Sequence, residues 1–302
     1  MASPKLRAFR GRAIYRALRV VSFVVQRLPL PVARAGGVLL GQLAWLVVRR
    51  YRRRALANIA IAFPDWPAGR RRTTIRNMFR HLGVSLAETL WLLRIDRDRI
   101  REMTSYEGLE NFDGIARGGR AAVAISGHCG NWEWVAQAIA AVVPLTTLHR
   151  ERDDPQMNRF ITEVRAHAGI ATIDRGSTGS AREMIRALRD GGLLSFLVDQ
   201  NIRAESVKVP FFGRPALTPI GPAKLAIRAG VPVICIFIER RGGRQFVRIE
   251  EPMATSKGDD PVALTARMTA AIEAQIRRAP EQWVWFHDRW RERPNWDVTP
   301  SP

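Results

Sequence analysis

Beyond about residue 70, short apolar runs alternate with segments in which apolar positions recur every three or four residues. Short apolar runs bounded by Gly, Pro or Asn are typical of buried strands, and the longer repeat is typical of amphipathic helices. Helices are therefore predicted at 70–94, 132–142, 155–168, 181–189, 219–229 and 261–278. Strands are predicted at 121–126, 145–148, 170–173, 193–198 and 231–238, with an antiparallel edge strand at 246–249. This alternation predicts an α/β fold, a mostly parallel mixed sheet flanked by helices on both faces.

The N-terminal part of the chain has a different pattern, in which long apolar stretches adjoin arginine clusters. Residues 20–48 carry only Arg27 and Arg34 as charges, and their longest uncharged piece has 14 residues. That is short of the roughly 20 residues needed to span a bilayer. The basic run RRYRRR follows at 49–54, so we expect a helical interfacial anchor at an anionic membrane surface. A kinked passage across the bilayer, broken at Pro29 and Pro31, is the alternative.

Charge and composition narrow the class of protein. The 302 residues are 46% hydrophobic, enough for a sizeable core. Residues 1–80 contain 17 Arg and one Lys against a single acid, Asp65, and so carry +17 of the net +20. Because these basic residues are interleaved with apolar runs, a membrane surface is favoured over nucleic acid as partner. We divide the chain into an anchoring segment, 1–55, and a globular domain, 56–302.

Several kinds of site are not expected from the motifs present. The two cysteines, Cys129 and Cys235, form no C-x2-C pair, which argues against a disulfide framework or a thiolate zinc site. HExxH, P-loop and GxGxxG patterns are missing from the sequence, so no metal or other cofactor is expected. Cys129 as a nucleophile is disfavoured, because adjacent side chains at a strand end point apart.

The stretch AAVAISGHCGNWE at 121–133 carries the candidate chemistry. Its buried strand ends at Gly127 and presents His128 where open α/β sheets place their functional residues. Glu133 follows five positions later, a spacing that three of the five histidines share, but only His128 emerges from a predicted core strand. With Glu133 in the first helical turn, its carboxylate would hold one imidazole nitrogen while the other accepts a proton. The alternative is a core histidine beside an ordinary acid at a helix start.

The segment GHCGNWEW resembles the H-x4-D/E block of the lysophospholipid acyltransferase superfamily, in the form typical of the lipid A late acyltransferases. Further segments similar to that family run in order from about residue 50 to 294. They are Asn58 with Phe63-Pro64, Leu148-His149-Arg150 with Pro155, Asn158 and Arg165, Val198-Asp199-Gln200, Val209 to Gly213 with Ala216 to Thr218, and Pro280 to Trp290.

The resemblance implies transfer of an acyl chain from a thioester, acyl-ACP or acyl-CoA, to a lipid hydroxyl. His128 is then the general base, oriented by Glu133, and residues 56–302 are the acyltransferase domain. Arg150 is the candidate for binding the oxyanion or a phosphate, with an ordinary surface arginine as the alternative. Asp199 and Gln200 are expected to bind substrate or position a loop, against simple capping of the next turn.

The acceptor is less well defined by the residues than the reaction. A lipid A precursor on the cytoplasmic face of the inner membrane is the first expectation. Departures from the family pattern at Asn201 to Arg203 and His287 to Arg291 leave another glycolipid open, such as a phosphatidylinositol mannoside. A catalytically inactive membrane-surface binding protein is the alternative of another class, and a nucleic-acid binder is the last.

Overall fold

The computed structural model describes residues 4–116, 119–149 and 155–299. The helices are α1 (Pro4–Val25), α2 (Leu30–Val47), α3 (Arg49–Ala62), α4 (Ala68–Trp91), α5 (Arg97–Glu102), α6 (Asp113–Ala116), α7 (Trp132–Ala140), α8 (Pro155–His167), α9 (Ser180–Arg189), α10 (Gly221–Ala229) and α11 (Pro261–Arg278). The strands are β1 (Thr104–Glu107), β2 (Ala121–Ser126), β3 (Leu145–His149), β4 (Ala171–Asp174), β5 (Gly192–Leu197), β6 (Ser206–Phe211), β7 (Arg214–Pro219), β8 (Val233–Arg241) and β9 (Arg244–Ile249). Each helix and strand predicted from the pattern is present, with ends shifted by a few residues.

Seven strands form one mixed sheet in the order β1-β9-β8-β2-β5-β3-β4, in which only the β8–β9 pair is antiparallel. The predicted α/β class is thereby confirmed. Strand β9 is antiparallel to β8 as expected, but its prediction as an edge strand was wrong, since β1 pairs with its outer side. The sequence pattern also missed the separate antiparallel hairpin of β6 and β7.

Strand β2 lies at the centre of the sheet and is buried along its whole length. Ala121, Val123 and Ile125 belong to one hydrophobic core, which also contains residues of α3, α4, α10 and α11. Ala122 and Ala124 belong to a second core on the other face, with residues of α5 and α7. Because successive side chains of a strand point to opposite faces, an all-apolar strand is covered on both sides. Such a strand carries no polar side chain except near its ends, and the residues that follow β2 lie at the edge of the sheet.

Helix α2 packs antiparallel along α4 at unusually short range. A Cβ atom on Gly37 would lie 2.6 Å from Gly83 O, and one on Gly41 would lie 2.2 Å from Phe79 O. Only glycine permits this approach of two backbones. The opposite side of α2 exposes large apolar side chains, among them Leu39, Leu43, Leu46 and Val47.

The α2 helix is also the one helix, among the described residues, that is long and apolar enough to cross a membrane, with a mean hydropathy of 1.4 over 18 residues. Only 22% of that window is buried. The predicted boundary between an anchoring segment and an acyltransferase domain, at residue 55, falls within α3. That division remains a prediction.

Candidate active site

The loop that follows β2 carries His128 and ends in the cap of α7. The Asn131 side chain accepts a hydrogen bond from the backbone N–H of Trp134 at 3.1 Å, which starts the helix. Gly130 has φ of 60°, and a Cβ atom there would lie 2.5 Å from the carbonyl oxygen of Ile238. The sequence Gly-Asn therefore folds the loop tightly against β8 and directs His128 to the carboxyl edge of the sheet.

Asp199 provides the carboxylate that holds His128. It follows β5, the neighbour of β2, and its Oδ1 lies 2.8 Å from His128 Nδ1. Its Oδ2 accepts from the backbone N–H of His128 at 2.8 Å and from the indole N–H of Trp283 at 2.7 Å. The Asp199 side chain is 1% exposed and that of His128 is 21% exposed. Nε2 is thus the ring nitrogen that has no hydrogen-bond partner among the described residues.

These contacts decide the charge state of Asp199. Burial alone raises its pKa, but His128 and the hydrogen bonds from Trp283 and the His128 backbone outweigh burial and lower the pKa to about 2. Asp199 is therefore a carboxylate at neutral pH. An ionised aspartate at Nδ1 selects the tautomer in which Nε2 is free to accept a proton.

Glu133 lies in the first turn of α7 and pairs with Arg165 of α8. Its two oxygens accept from Arg165 Nη2 at 2.8 Å and Nε at 3.3 Å, and Arg165 Nη1 also reaches Thr147 Oγ1 at 3.4 Å. The H-x4-E spacing led us to expect a hydrogen bond between Glu133 and His128, which does not occur among the described contacts. The groups that contact the His128 ring are instead the carboxylate of Asp199 and the ring of Trp132. The Trp132 and His128 rings are T-shaped to each other, with 5.2 Å between their centroids.

The other sequence-predicted site residues divide into two groups. Gln200 lines the cavity described below, directly after Asp199. Arg150 lies outside the described residues. Two residues of the site were given no role by the sequence reasoning, namely Arg165 and Trp283. Both stand within the family-like segments, which is the one signal that marked them.

A cavity of about 1330 Å³ opens beside His128, Glu133 and Arg165. This exceeds the roughly 300–1,000 Å³ typical of small-molecule sites. Its walls are largely apolar and extend between α9 and α10, and its lining also includes several charged side chains. The apolar lining includes Met184, Ile185, Leu197, Val198 and Leu225, and the charged lining includes Arg175, Glu205, Lys224 and Arg228.

Cys129 and the Phe211–Phe212 pair, which stand in family-like segments, are buried. Cys129 is buried, and burial followed by the charge of Asp199 raises the pKa of its thiol well above the ordinary value. A thiol held protonated is a poor nucleophile. Phe211 and Phe212 pack against Trp283, Trp285 and Phe63 in the core.

Comparison with known proteins adds the family. The model of the bacterial lipid A biosynthesis acyltransferase family matches residues 3–292. The chain is 28% identical over 274 residues to the lipid A biosynthesis palmitoleoyltransferase of Escherichia coli, covering 89% of this chain and 88% of the relative. It is 28% identical over 280 residues to the lipid A biosynthesis lauroyltransferase of the same organism, with 91% and 90% coverage. A phosphatidylinositol mannoside acyltransferase of Mycolicibacterium smegmatis is 26% identical over 212 residues, 67% of either chain. An acyltransferase by this match, the chain belongs to the bacterial lipid A biosynthesis acyltransferase family.

Proposed function

We propose that this acyltransferase moves a fatty acyl chain from an acyl thioester to a hydroxyl group of a lipid A precursor, with His128 as general base. The observation that carries the proposal is an imidazole fixed at Nδ1 by the buried carboxylate of Asp199 and bordering a large, mostly apolar cavity. The lipid A acyltransferases among the relatives support this choice of acceptor.

The transfer needs one proton to move. A lipid hydroxyl has a pKa far above 7, so its proton must be removed as its oxygen attacks the thioester carbonyl. His128 Nε2 takes that proton, the C–O bond forms, and the C–S bond breaks. The proton then passes from His128 to the leaving thiolate, which leaves the enzyme unchanged. Asp199 stabilises the transient imidazolium and keeps its ring in place.

Glu133 acts in this scheme through Arg165. A paired, largely buried guanidinium on the cavity wall is a fixed source of N–H donors for the oxyanion of the tetrahedral intermediate or for a phosphate. Removing one such donor typically costs about 10²–10³ in kcat. Arg150, the residue that follows β3 in the sequence, is proposed as a second cation for this purpose.

The acyl chain is proposed to lie between α9 and α10, along the apolar part of the cavity. Burial of each methylene group there favours binding by about 0.8 kcal/mol. Gln200 stands near the chemical end of this path and is proposed to bind the substrate. The thioester donor is an acyl carrier protein or coenzyme A.

The acceptor and the enzyme are proposed to meet at the cytoplasmic face of the inner membrane. Apolar side chains of α1 and α2 are exposed, including Val20, Phe23 and Leu39. The arginine cluster at the start of α3 adjoins them. An apolar surface beside basic residues favours an anionic lipid surface, at about 1 kcal/mol for each basic residue near it.

A phosphatidylinositol mannoside or another glycolipid is the second candidate acceptor, supported by the mycobacterial relative. An inactive membrane-surface binding protein is not favoured, because such a protein has no need of a buried carboxylate aligned on an imidazole. A cavity lined by that imidazole is likewise unnecessary for surface binding.

The test is acyl transfer from labelled acyl-ACP to a purified tetra-acylated lipid A precursor in detergent micelles. His128→Ala is expected to lower kcat by roughly 10²–10⁴, the usual contribution of a general base. His167→Ala removes an exposed histidine of α8 whose one hydrogen-bond partner among the described residues is Ile95 O, and should leave transfer unchanged. Transfer that survives His128→Ala overturns the mechanism. If the unaltered enzyme transfers the acyl chain to a phosphatidylinositol mannoside and not to the lipid A precursor, the mannoside becomes the proposed acceptor.

A further inference from the structure

Glu88 of α4 is completely buried and is the centre of a polar cluster outside the cavity. Its carboxylate accepts from Arg34 Nε at 2.8 Å, Arg240 Nε at 3.0 Å, Asn131 Nδ2 at 3.0 Å and Gln245 Nε2 at 2.9 Å. These four donors come from α2, β8, the His128 loop and β9. A buried charge is costly unless it is paired and hydrogen-bonded, and Glu88 is absent from the cavity lining.

The cluster is hydrogen-bonded to the loop that carries His128 at two points. Asn131, which caps α7 with its side-chain oxygen, gives its Nδ2 to Glu88 and to Ser85 O. The backbone N–H and C=O of Arg240 form two hydrogen bonds with the amide side chain of Gln282. The backbone O of Gln282 in turn accepts from Gly130 N at 2.7 Å. The backbone at Gly130 and the side chain at Asn131 are thus fixed within three residues of the imidazole.

The guanidinium of Arg240 is itself held by a neutral partner. Its Nη1 donates to His81 Nδ1 at 2.8 Å. Burial, followed by the charge of Arg240, lowers the pKa of His81 to about 3, so His81 is uncharged at neutral pH. Arg34 and Arg240 therefore neutralise Glu88 without competition from a third cation at His81.

Arg34 connects this cluster to the exposed apolar helix α2. It lies between Ala33 and Gly37 on the buried stripe of that helix and also donates to Gly243 O. The route from α2 to the loop is therefore two hydrogen bonds long, Arg34 to Glu88 and Glu88 to Asn131. The close backbone contact of Gly37 with Gly83 keeps that route short.

From this geometry we infer that Glu88 is a positioning residue that couples the seating of α2 to the placement of the His128 loop. The chemical consequence rests on the proposed function, in which His128 is the general base. A shift of the loop by about 1 Å is enough to lower a rate about 100-fold. The segment that meets the lipid and the segment that holds the base would then move as one body.

Two substitutions separate coupling from general stability. Arg34→Gln cuts the link from α2 and leaves the Asn131–Glu88 bond, whereas Arg34→Lys retains a charge for Glu88. Arg94→Gln is the matched control, because Arg94 also joins α4's end to the N-terminal helices, through Leu28 O at 3.3 Å, but does not touch Glu88. All are made in the full chain in phospholipid nanodiscs.

The first readout is backbone amide exchange of residues 127–134, followed by mass spectrometry. Arg34→Gln is expected to raise exchange there about tenfold, with partial recovery in Arg34→Lys and none of this change in Arg94→Gln. The second readout is acyl transfer, in which kcat falls about 10–100-fold in Arg34→Gln while KM for the acyl donor is unchanged. Thermal unfolding identifies a variant that fails by losing its fold.

Unchanged exchange at 127–134 in folded Arg34→Gln overturns the coupling. So does equal loosening in Arg94→Gln, which would make the effect a general one. Since amide exchange needs no turnover, an enzyme that transfers no acyl chain to any acceptor would refute the proposed function and still decide the coupling.

Discussion

Asp199→Asn is the substitution that tests the candidate site most sharply. Asparagine has nearly the shape of aspartate, so the buried position is preserved. What changes is that one of the two oxygens becomes an NH2 group. In the unaltered site Oδ1 faces His128 Nδ1, and Oδ2 faces two N–H donors, the His128 backbone and Trp283 Nε1.

The three partners decide how the asparagine turns. With its NH2 towards the two N–H donors, donors would face donors and two buried groups would be unsatisfied, each at about 1–3 kcal/mol. With its oxygen towards those donors, both are satisfied and the NH2 donates to His128 Nδ1. We expect the second orientation. It places the imidazole proton on Nε2, which can then no longer accept a proton from the substrate.

The expected cost is therefore large in kcat and small in binding. The same inversion of tautomer in Ser-His-Asp enzymes lowers kcat by about 10⁴, and a loss of that order is expected here. KM should change little, because Asp199 is 1% exposed and is not part of the cavity lining.

The assay measures initial rates of acyl transfer for Asp199→Asn, His128→Ala and the double variant. Because Asp199 acts through His128, the double variant should be no slower than His128→Ala. Asp260→Asn, a conservative change at the cap of α11, is the control for amide substitution at another carboxylate. The reasoning fails if Asp199→Asn retains more than about a tenth of kcat, or if the two losses multiply.

Three further predictions concern the remaining groups of the site. Glu133→Gln and Arg165→Gln should each lower kcat by about 10²–10³. Because the two side chains form one ion pair, a double-variant cycle should give strong coupling. Independent losses that multiply would contradict this. The pKa of Asp199 is lowered from 3.8 to about 2. The ionised carboxylate therefore adds roughly 2 kcal/mol to the free energy of unfolding above about pH 4, and this contribution is lost as the pH falls towards 2. Thermal unfolding against pH should show that loss in the unaltered protein and less of it in Asp199→Asn, and equal curves would refute the assignment. The Cys129 thiol, buried and with a raised pKa, should resist alkylation by iodoacetamide at pH 7 until the chain unfolds, as peptide mass spectrometry can establish.

Those parts of the fold with strong local patterns were predictable, and the parts defined by distant partners were not. The apolar run AAVAI predicts β2 as a strand buried on both faces, and such strands are typical of an α/β fold with helices on both sides of the sheet. Strand β1 reads TSYE, which has no apolar run, and becomes a strand only because β9 pairs with it. The β6–β7 hairpin carries Pro210 and Pro215, residues that argue against a strand when read locally.

The same distinction holds within the site. His128 and Asp199 were each placed at a strand end, but nothing local states that β2 and β5 are neighbours. Their hydrogen bond follows from that adjacency. Glu133 was assigned to the histidine nearest in sequence, whereas α8, folded back against the sheet, brings Arg165 to it. Spacing identified the chemical groups, and the topology chose their partners.

The antiparallel contact of α2 with α4 has a consequence for depth in the lipid. Gly37 meets Gly83, Gly41 meets Phe79, and Arg72 lies over the ring of Trp45, so α4 accompanies α2 along its length. If α2 stood across the bilayer, α4 would enter with it and carry Arg80, which lies beside Gly41 near the middle of α2, into the hydrocarbon. An arginine near the bilayer centre costs at least about 2.5–3.5 kcal/mol. If α2 is the membrane anchor, as proposed, this pairing favours a monotopic arrangement, in which α2 lies flat among the headgroups and the lipid would enter the cavity sideways from one leaflet.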